Sequence, residues 1–176
     1  MTPHATLSFR PVADADYEYL YRLNEATMRR YAEQTYGPWD EAVNRRIFAE
    51  RWRPETMQIV VVDGQDGGLL ELVPTETGLH VANIRVAPEL QGQGIGTRLV
   101  AGVLRDAHAR GQSVTLRVLK VNPARRLYER LGFVVVGETD THYRMRADPP
   151  KTSAIRCDPL TGHTGNDVDQ TGSDFD

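Results

Sequence analysis

Apolar positions along this chain recur with two periods, and their alternation predicts a mixed α/β domain. Leu7 to Arg10 reads as a short first strand. A cap at Asp14 or Asp16 then starts a helix carrying Tyr17, Leu20, Asn24, Thr27/Met28 and Tyr31 at helical spacing. Gly37-Pro38 stops that region, and Asp40 opens a second helix with Val43, Ile47, Phe48 and Trp52. Gln58 to Val62 is a β-branched strand, Asp63-Gly64 turns, and Leu69 to Val73 returns. Pro74 to Gly78 turns the chain again into His80 to Val86, where Val81 to Val86 alternates like a half-buried strand. Leu99, Val100, Val103, Leu104 and Ala107 share one face of a third helix that ends at Gly111. Ser113 to Leu119 is the next strand. Asn122 as cap, Pro123 in the first turn and Gly132 at the far end delimit a short fourth helix. Its inward stripe is Ala124, Leu127, Tyr128 and Leu131. Phe133 to Val136 and Thr141 to Met145 complete the sheet.

Between the strand ending at Val86 and the third helix lies Gln91-Gly92-Gln93-Gly94-Ile95-Gly96, followed by Thr97. Alternate glycines leave backbone N–H groups uncovered, and the helix that follows directs its partial positive end at the same point. The segment therefore suits a pyrophosphate, held without a metal. A P-loop would need Gly-Lys-Ser/Thr, whereas Gly96 is followed by Thr97 and Arg98. A dinucleotide fold wants Gly-x-Gly-x-x-Gly and an acidic residue closing a strand about twenty residues on, and neither is present. A plain glycine-rich turn is the bland alternative.

Gln91-Gly92-Gln93-Gly94-Ile95-Gly96 resembles the acyl-CoA motif of the GNAT superfamily of acyltransferases, Gln/Arg-x-x-Gly-x-Gly/Ala. Asn122-Pro123-Ala124-Arg125-Arg126-Leu127-Tyr128-Glu129-Arg130-Leu131-Gly132-Phe133 resembles the strand-to-helix segment that follows it in that family. The resemblance covers Leu7 to Ala147. It implies a single GNAT-like domain over residues 1–147, with a mixed, mostly antiparallel sheet of six to seven strands flanked by about four helices. It also implies acetyl-CoA as co-substrate, attacked directly by an amine without a covalent enzyme intermediate. Ile84, Arg85 and Val86 would run along the cofactor, with the Val86 backbone polarising the thioester carbonyl and pairing with the pantetheine arm. Asn122 would contact the cofactor arm or the acceptor, and Arg125 a phosphate. Tyr128 maps onto the tyrosine that protonates the departing thiolate in many members, although pattern alone equally permits a core tyrosine.

The base is less plain. Some family members place a Glu about eleven residues ahead of the motif Gln, and that count lands on His80. An imidazole near its ordinary pKa of ~6.5 accepts a proton at neutral pH. A hairpin turning at Thr75-Glu76 would set Glu71 opposite His80 to orient it. The same two residues also fit an ordinary strand-end histidine and a surface carboxylate. Acceptor recognition is expected from Tyr31, Glu33, Tyr36, Trp39, Asp40 and Glu41, with Asn83 beside the thioester; aromatic faces and carboxylates suit a cationic or amphipathic amine. Asp40 and Trp39 have the alternative roles of helix cap and packing residue.

Composition narrows the remaining classes. The chain has 176 residues, a formal charge of −3 and one cysteine, which excludes an internal disulfide framework or a Cys-based metal site. From Asp148 onward it is rich in Asp, Thr, Gly, Ser and Pro, reading as a disordered acidic tail over 148–176 that contains Cys157. No long apolar run or leader-like segment is visible, so a cytoplasmic location is expected, with no membrane or nucleic-acid partner. A homodimer stays open. The two function classes are an N-acetyltransferase acting on a small-molecule, amino-acid or peptide amine, and a non-catalytic acyl-CoA-binding module. O-acylation also stays open, since the cofactor motif is indifferent to the acceptor.

Overall fold

The computed structural model describes residues 5–151. Seven strands form one sheet in the order β1-β2-β3-β4-β5-β7-β6. They are β1 (Leu7–Pro11), β2 (Met57–Val62), β3 (Gln65–Thr75), β4 (Gly78–Val86), β5 (Ser113–Leu119), β6 (Val134–Glu138) and β7 (His142–Ala147). Four α-helices, α1 (Tyr17–Tyr36), α2 (Glu41–Glu50), α3 (Ile95–His108) and α4 (Ala124–Arg130), cover it. Every neighbouring pair is antiparallel except β4 with β5, which α3 crosses between. The expected mixed, mostly antiparallel architecture is therefore present. The stretch from residue 152 onward, with most of the expected acidic tail and Cys157, lies outside the described residues. Among those described, no helix is long and apolar enough to cross a membrane.

Local chemistry explains where the helices begin and end. Asp40 caps α2 by accepting the Val43 N–H at 2.9 Å. Asn122 Oδ1 accepts the Ala124 N–H at 2.9 Å, so α4 starts at Ala124, one residue beyond Pro123. Asp16 does not cap α1 with its side chain; it accepts the Ala13 N–H and two Arg10 hydrogen bonds. Gly111 and Gly132 both adopt positive φ just past α3 and α4, the left-handed stop that glycine makes without strain.

Two apolar layers sandwich the sheet. α3 buries Ile95, Leu99, Val100, Val103, Leu104 and Ala107 against strands that supply Val81, Val114 and Leu116. Each Leu or Val withdrawn from water there contributes roughly 1.5–3 kcal/mol. The second layer joins Leu20 and Leu23 of α1 to Met57, Ile59 and Leu69, with Phe48 and Trp52 packed at its edge.

The strand registers differ from expectation in one consequential place. β3 and β4 pair from Thr75↔Gly78 inward, so the turn is Glu76-Thr77 rather than Thr75-Glu76. Val73 then lies opposite His80. The register shifts between Glu71 and Leu72, leaving Ala82 as an extra residue, and Glu71 comes to lie opposite Asn83. The expected Glu71–His80 cross-strand pair is thus not formed.

Candidate active site

β4 and β5 part company along their length. Their parallel ladder runs only from Gly78↔Ser113 to Val81↔Leu116, ending at the Ala82 bulge. Beyond it, Ala82 to Val86 have no β5 partner, and the wedge opens into a cleft of about 1290 Å³. Its mouth is framed by Gly92, Gly94, Gly96 and Thr97 on one side and by Asn122 and Tyr128 on the other.

The glycine loop is shaped by two residues at positive φ, Gly92 at 76° and Gly94 at 75°. The first helical hydrogen bond of α3 runs from Arg98 N–H to Gly94 O at 3.0 Å, so the amides of Ile95, Gly96 and Thr97 have no helical partner. These amides and the helix's positive end form an anion cradle at the cleft mouth. Gln91 Nε2 donates to Val86 O at 2.9 Å, tying the loop to the end of β4. Gln93 turns away from the cleft and donates to Glu89 O at 3.2 Å.

Tyr128 reaches the cleft from α4, held edge-on by Phe133 with ring centroids 5.8 Å apart. Burial pushes its phenol above the ordinary 10, against the positive charge of nearby Arg85, so the hydroxyl is a proton donor at neutral pH. Arg125 stands outside the cleft wall. It is held by Glu129 at 2.7 Å and stacked over the Tyr143 ring at 4.2 Å.

The cleft floor carries a polar relay that sequence reasoning missed. Thr56 Oγ1 donates to Glu71 Oε1 at 3.0 Å, Asn83 Nδ2 donates to Glu71 Oε2, and Arg85 Nη2 donates to Asn83 Oδ1 at 2.9 Å. Arg85 only donates and a carboxylate only accepts, so the Asn83 amide has one orientation that serves both. The Arg85 guanidinium is enclosed by protein yet opens on the cleft; its Nε has no partner among the described residues. Burial lowers its pKa, with Tyr128 and Glu71 opposing.

His80 also faces the cleft, but its partner is Thr115 rather than Glu71. His80 Nδ1 lies 2.9 Å from Thr115 Oγ1, while that hydroxyl directs its single proton at Leu79 O, 3.4 Å away. Both contacts form together only when Nδ1 carries the imidazole proton, leaving the Nε2 lone pair free. Burial pulls the His80 pKa below 6.5, helped by Arg117 and opposed by Glu71, so the ring is neutral at pH 7.

The wall built by α1 and α2 presents Tyr31, Tyr36, Trp39 and Phe48. The carboxylates expected beside them do not line the cleft, although Glu41 Oε2 accepts from Trp39 Nε1 at 3.3 Å behind it. Glu33 pairs with Arg29 at 2.9 Å, Asp40 is spent on the α2 cap, and Glu41 pairs with Arg45 at 2.8 Å.

A splayed β4–β5 pair opposite a glycine loop and a helix N-terminus defines an acyl-CoA-dependent acyltransferase architecture. The comparisons with known proteins agree: residues 27–146 match the family described as "Acetyltransferase (GNAT) domain", and the chain belongs to that family. It is 29% identical over 140 residues to the Spermidine N(1)-acetyltransferase of Escherichia coli K12, spanning 76% of this chain and 75% of that protein. Among solved structures, it resembles the PaiA N-acetyltransferase of Thermoplasma acidophilum in complex with coenzyme A. The TM-score is 0.64 at 17% identity, over 81% of this chain and 99% of that one. It also resembles the Vibrio cholerae spermidine N-acetyltransferase in complex with CoA and spermine, with TM-score 0.58 and 22% identity over 81% and 95%. At these identities the structural likenesses speak for the fold. The family makes the chain an acetyltransferase.

Proposed function

We propose that this protein is an N-acetyltransferase that transfers an acetyl group from acetyl-CoA to a primary amine of a small molecule, amino acid or peptide. The observation that carries the reading is the splay of β4 from β5 between a phosphate-binding loop and two proton-handling groups, Tyr128 and His80. The co-substrate supplies a thioester whose carbonyl carbon takes up the amine. The amides from Ile95 to Thr97 hold its pyrophosphate, and the unpaired edge of β4 from Ala82 to Val86 offers backbone groups to the pantetheine arm. His80 Nε2 takes a proton from the acceptor ammonium, and Tyr128 Oη holds a proton for the departing thiolate. Glu71 serves through Asn83 and Arg85 rather than through His80.

Thermal unfolding in the presence of acetyl-CoA, CoA or ATP tests the cofactor half of this reading. Ligand at a hundred times its Kd adds ~2.7 kcal/mol of stability. Stabilisation by acetyl-CoA and CoA but not ATP is expected, followed by thiol release with an amine panel. No stabilisation by either thioester or thiol at millimolar concentration removes the cradle, and the proposed activity with it.

A further inference from the structure

The charge around the acceptor side of the cleft runs opposite to what a polycationic amine needs. Arg51, Arg53, Arg85 and Arg117 all line it, against Glu50 and Glu71. Glu71 already accepts from Thr56 and Asn83, and Arg53 donates to the backbone carbonyls of Glu50 and Trp52. Arg51 and Arg117 have no carboxylate within 4 Å among the described residues.

Arg117 is the centre of this patch. It projects from β5 on the His80 side of the sheet, since His80 pairs with Thr115 and alternate residues share a face. Across the β5–β7 ladder its partner is Arg144, a like-charge pairing that costs energy unless something negative relieves it. His142, at the start of β7, senses both neighbours: burial lowers its pKa, with Arg117 and then Arg51 adding to the effect. His142 pairs with Leu119, two residues from Arg117 on the same face of β5, and it lines the cleft together with Arg117 and Arg51. The adjoining wall of Tyr31, Trp39 and Phe48 is apolar.

We infer that Arg117 and Arg51, which line the cleft together with His142, form an acceptor subsite for an anionic group, a carboxylate or phosphate carried by the same molecule as the reacting amine. The inference rests on the acetyltransferase reading and specifies its acceptor: a zwitterionic or anionic amine with an apolar body, not a polyamine. The anion docks on the two guanidiniums, the body lies along the aromatic wall, and the amine points toward His80. A polyamine places its second cation against Arg117 and is repelled.

The test compares product analogues on the full-length protein saturated with CoA, by calorimetry at low ionic strength, where exposed charges are least screened. N-acetyl-L-phenylalanine is paired with N-acetyl-2-phenylethylamine, N-acetyl-O-phosphoethanolamine with N-acetylethanolamine, and N1-acetylspermidine is included. The charged member of at least one pair should bind roughly tenfold tighter or more, as charge-assisted hydrogen bonds imply, and the pair that responds separates carboxylate from phosphate. Arg117→Gln should close most of that gap, Arg51→Gln part of it, and Arg117→Lys should keep part. Equal affinities within both pairs, tightest binding of N1-acetylspermidine, or a gap that survives Arg117→Gln with Arg51→Gln would overturn the subsite. If CoA itself fails to bind, the activity reading falls. The same titrations on the unloaded protein then decide the subsite by the same ratios.

Discussion

Asn83 Nδ2 donates to the Glu71 carboxylate across the β3–β4 ladder, and the same amide accepts from Arg85, so one neutral side chain joins a buried anion to an enclosed cation. Glu71 and Arg85 do not themselves come within 4 Å, and without Asn83 the carboxylate keeps only Thr56 and the guanidinium only the Ile84 carbonyl as hydrogen-bond partners among the described residues. Asn83→Ala removes a donor and an acceptor at once. It should destabilise the protein by about 3 kcal/mol, the upper part of the range for stranding buried polar partners. Urea unfolding measures this, and a loss below about 0.5 kcal/mol, the size of an ordinary surface change, would show that the relay carries little.

Tyr128 has a hydroxyl raised in pKa at the cleft and a ring fixed by Phe133. Tyr128→Phe keeps the ring and deletes the acid. Turnover should fall about 10²–10⁴-fold while stabilisation by CoA persists, the range expected for a positioned proton donor. Single-turnover kinetics beside thermal unfolding separate the two. An unchanged rate would leave Tyr128 a packing residue.

His80 and His142 both have folded-state pKa values below 6.5, burial being the first cause for each. Between the folded and unfolded values the unfolded chain binds more protons, so stability rises with pH there. Their contribution is intact above about 6.5, the unfolded value, and is lost as pH falls through the folded values. The acid limb of kcat/KM should likewise have its midpoint below 6.5, where His80 Nε2 takes up its proton. His80→Gln should abolish that limb, and His142→Gln should flatten the stability curve and leave the His80 limb in place. A limb that persists in His80→Gln assigns the base elsewhere.

The elements were legible where the signal is local. The Asp40 cap, the glycine stops at 111 and 132, and the stripe on α3 act within a few residues, and each is where the sequence puts it, while the start of α4 moves one residue along from the Asn122 cap and Pro123 start that the sequence suggests. The register of β3 on β4 was not legible, because one bulge residue, Ala82, and a turn displaced to Glu76-Thr77 decide which side chains meet. That Glu33, Asp40 and Glu41 do not line the cleft was illegible for a related reason. Composition shows Glu33, Asp40 and Glu41 near the aromatics but not that Arg29, a helix terminus and Arg45 consume them. Arg117, His142 and Arg51 come from three distant segments, and only the closed sheet brings them together.

The glycine loop offers a contrast that separates fold from ligand binding. Gly92 and Gly94 have positive φ, and a Cβ added to either would meet nothing within 4 Å, so their need for glycine is conformational. Gly94→Ala should cost roughly 1–2 kcal/mol of stability through strain in the left-handed region. Gly96 is different: it sits in the first turn of α3 with ordinary φ, and an added Cβ would meet only Leu127 Cδ1 at 3.9 Å. Gly96→Ala should therefore leave the free protein as stable or raise it by up to about 1 kcal/mol, since alanine favours the helix. The same methyl stands where the cleft mouth must admit a phosphate against bare backbone, so CoA affinity should fall. Unfolding curves with and without CoA read both effects for each variant. If Gly96→Ala binds CoA as tightly as the parent, close approach at that amide is not what the third glycine provides, and the cradle must rest on Gly92, Gly94 and the helix terminus alone.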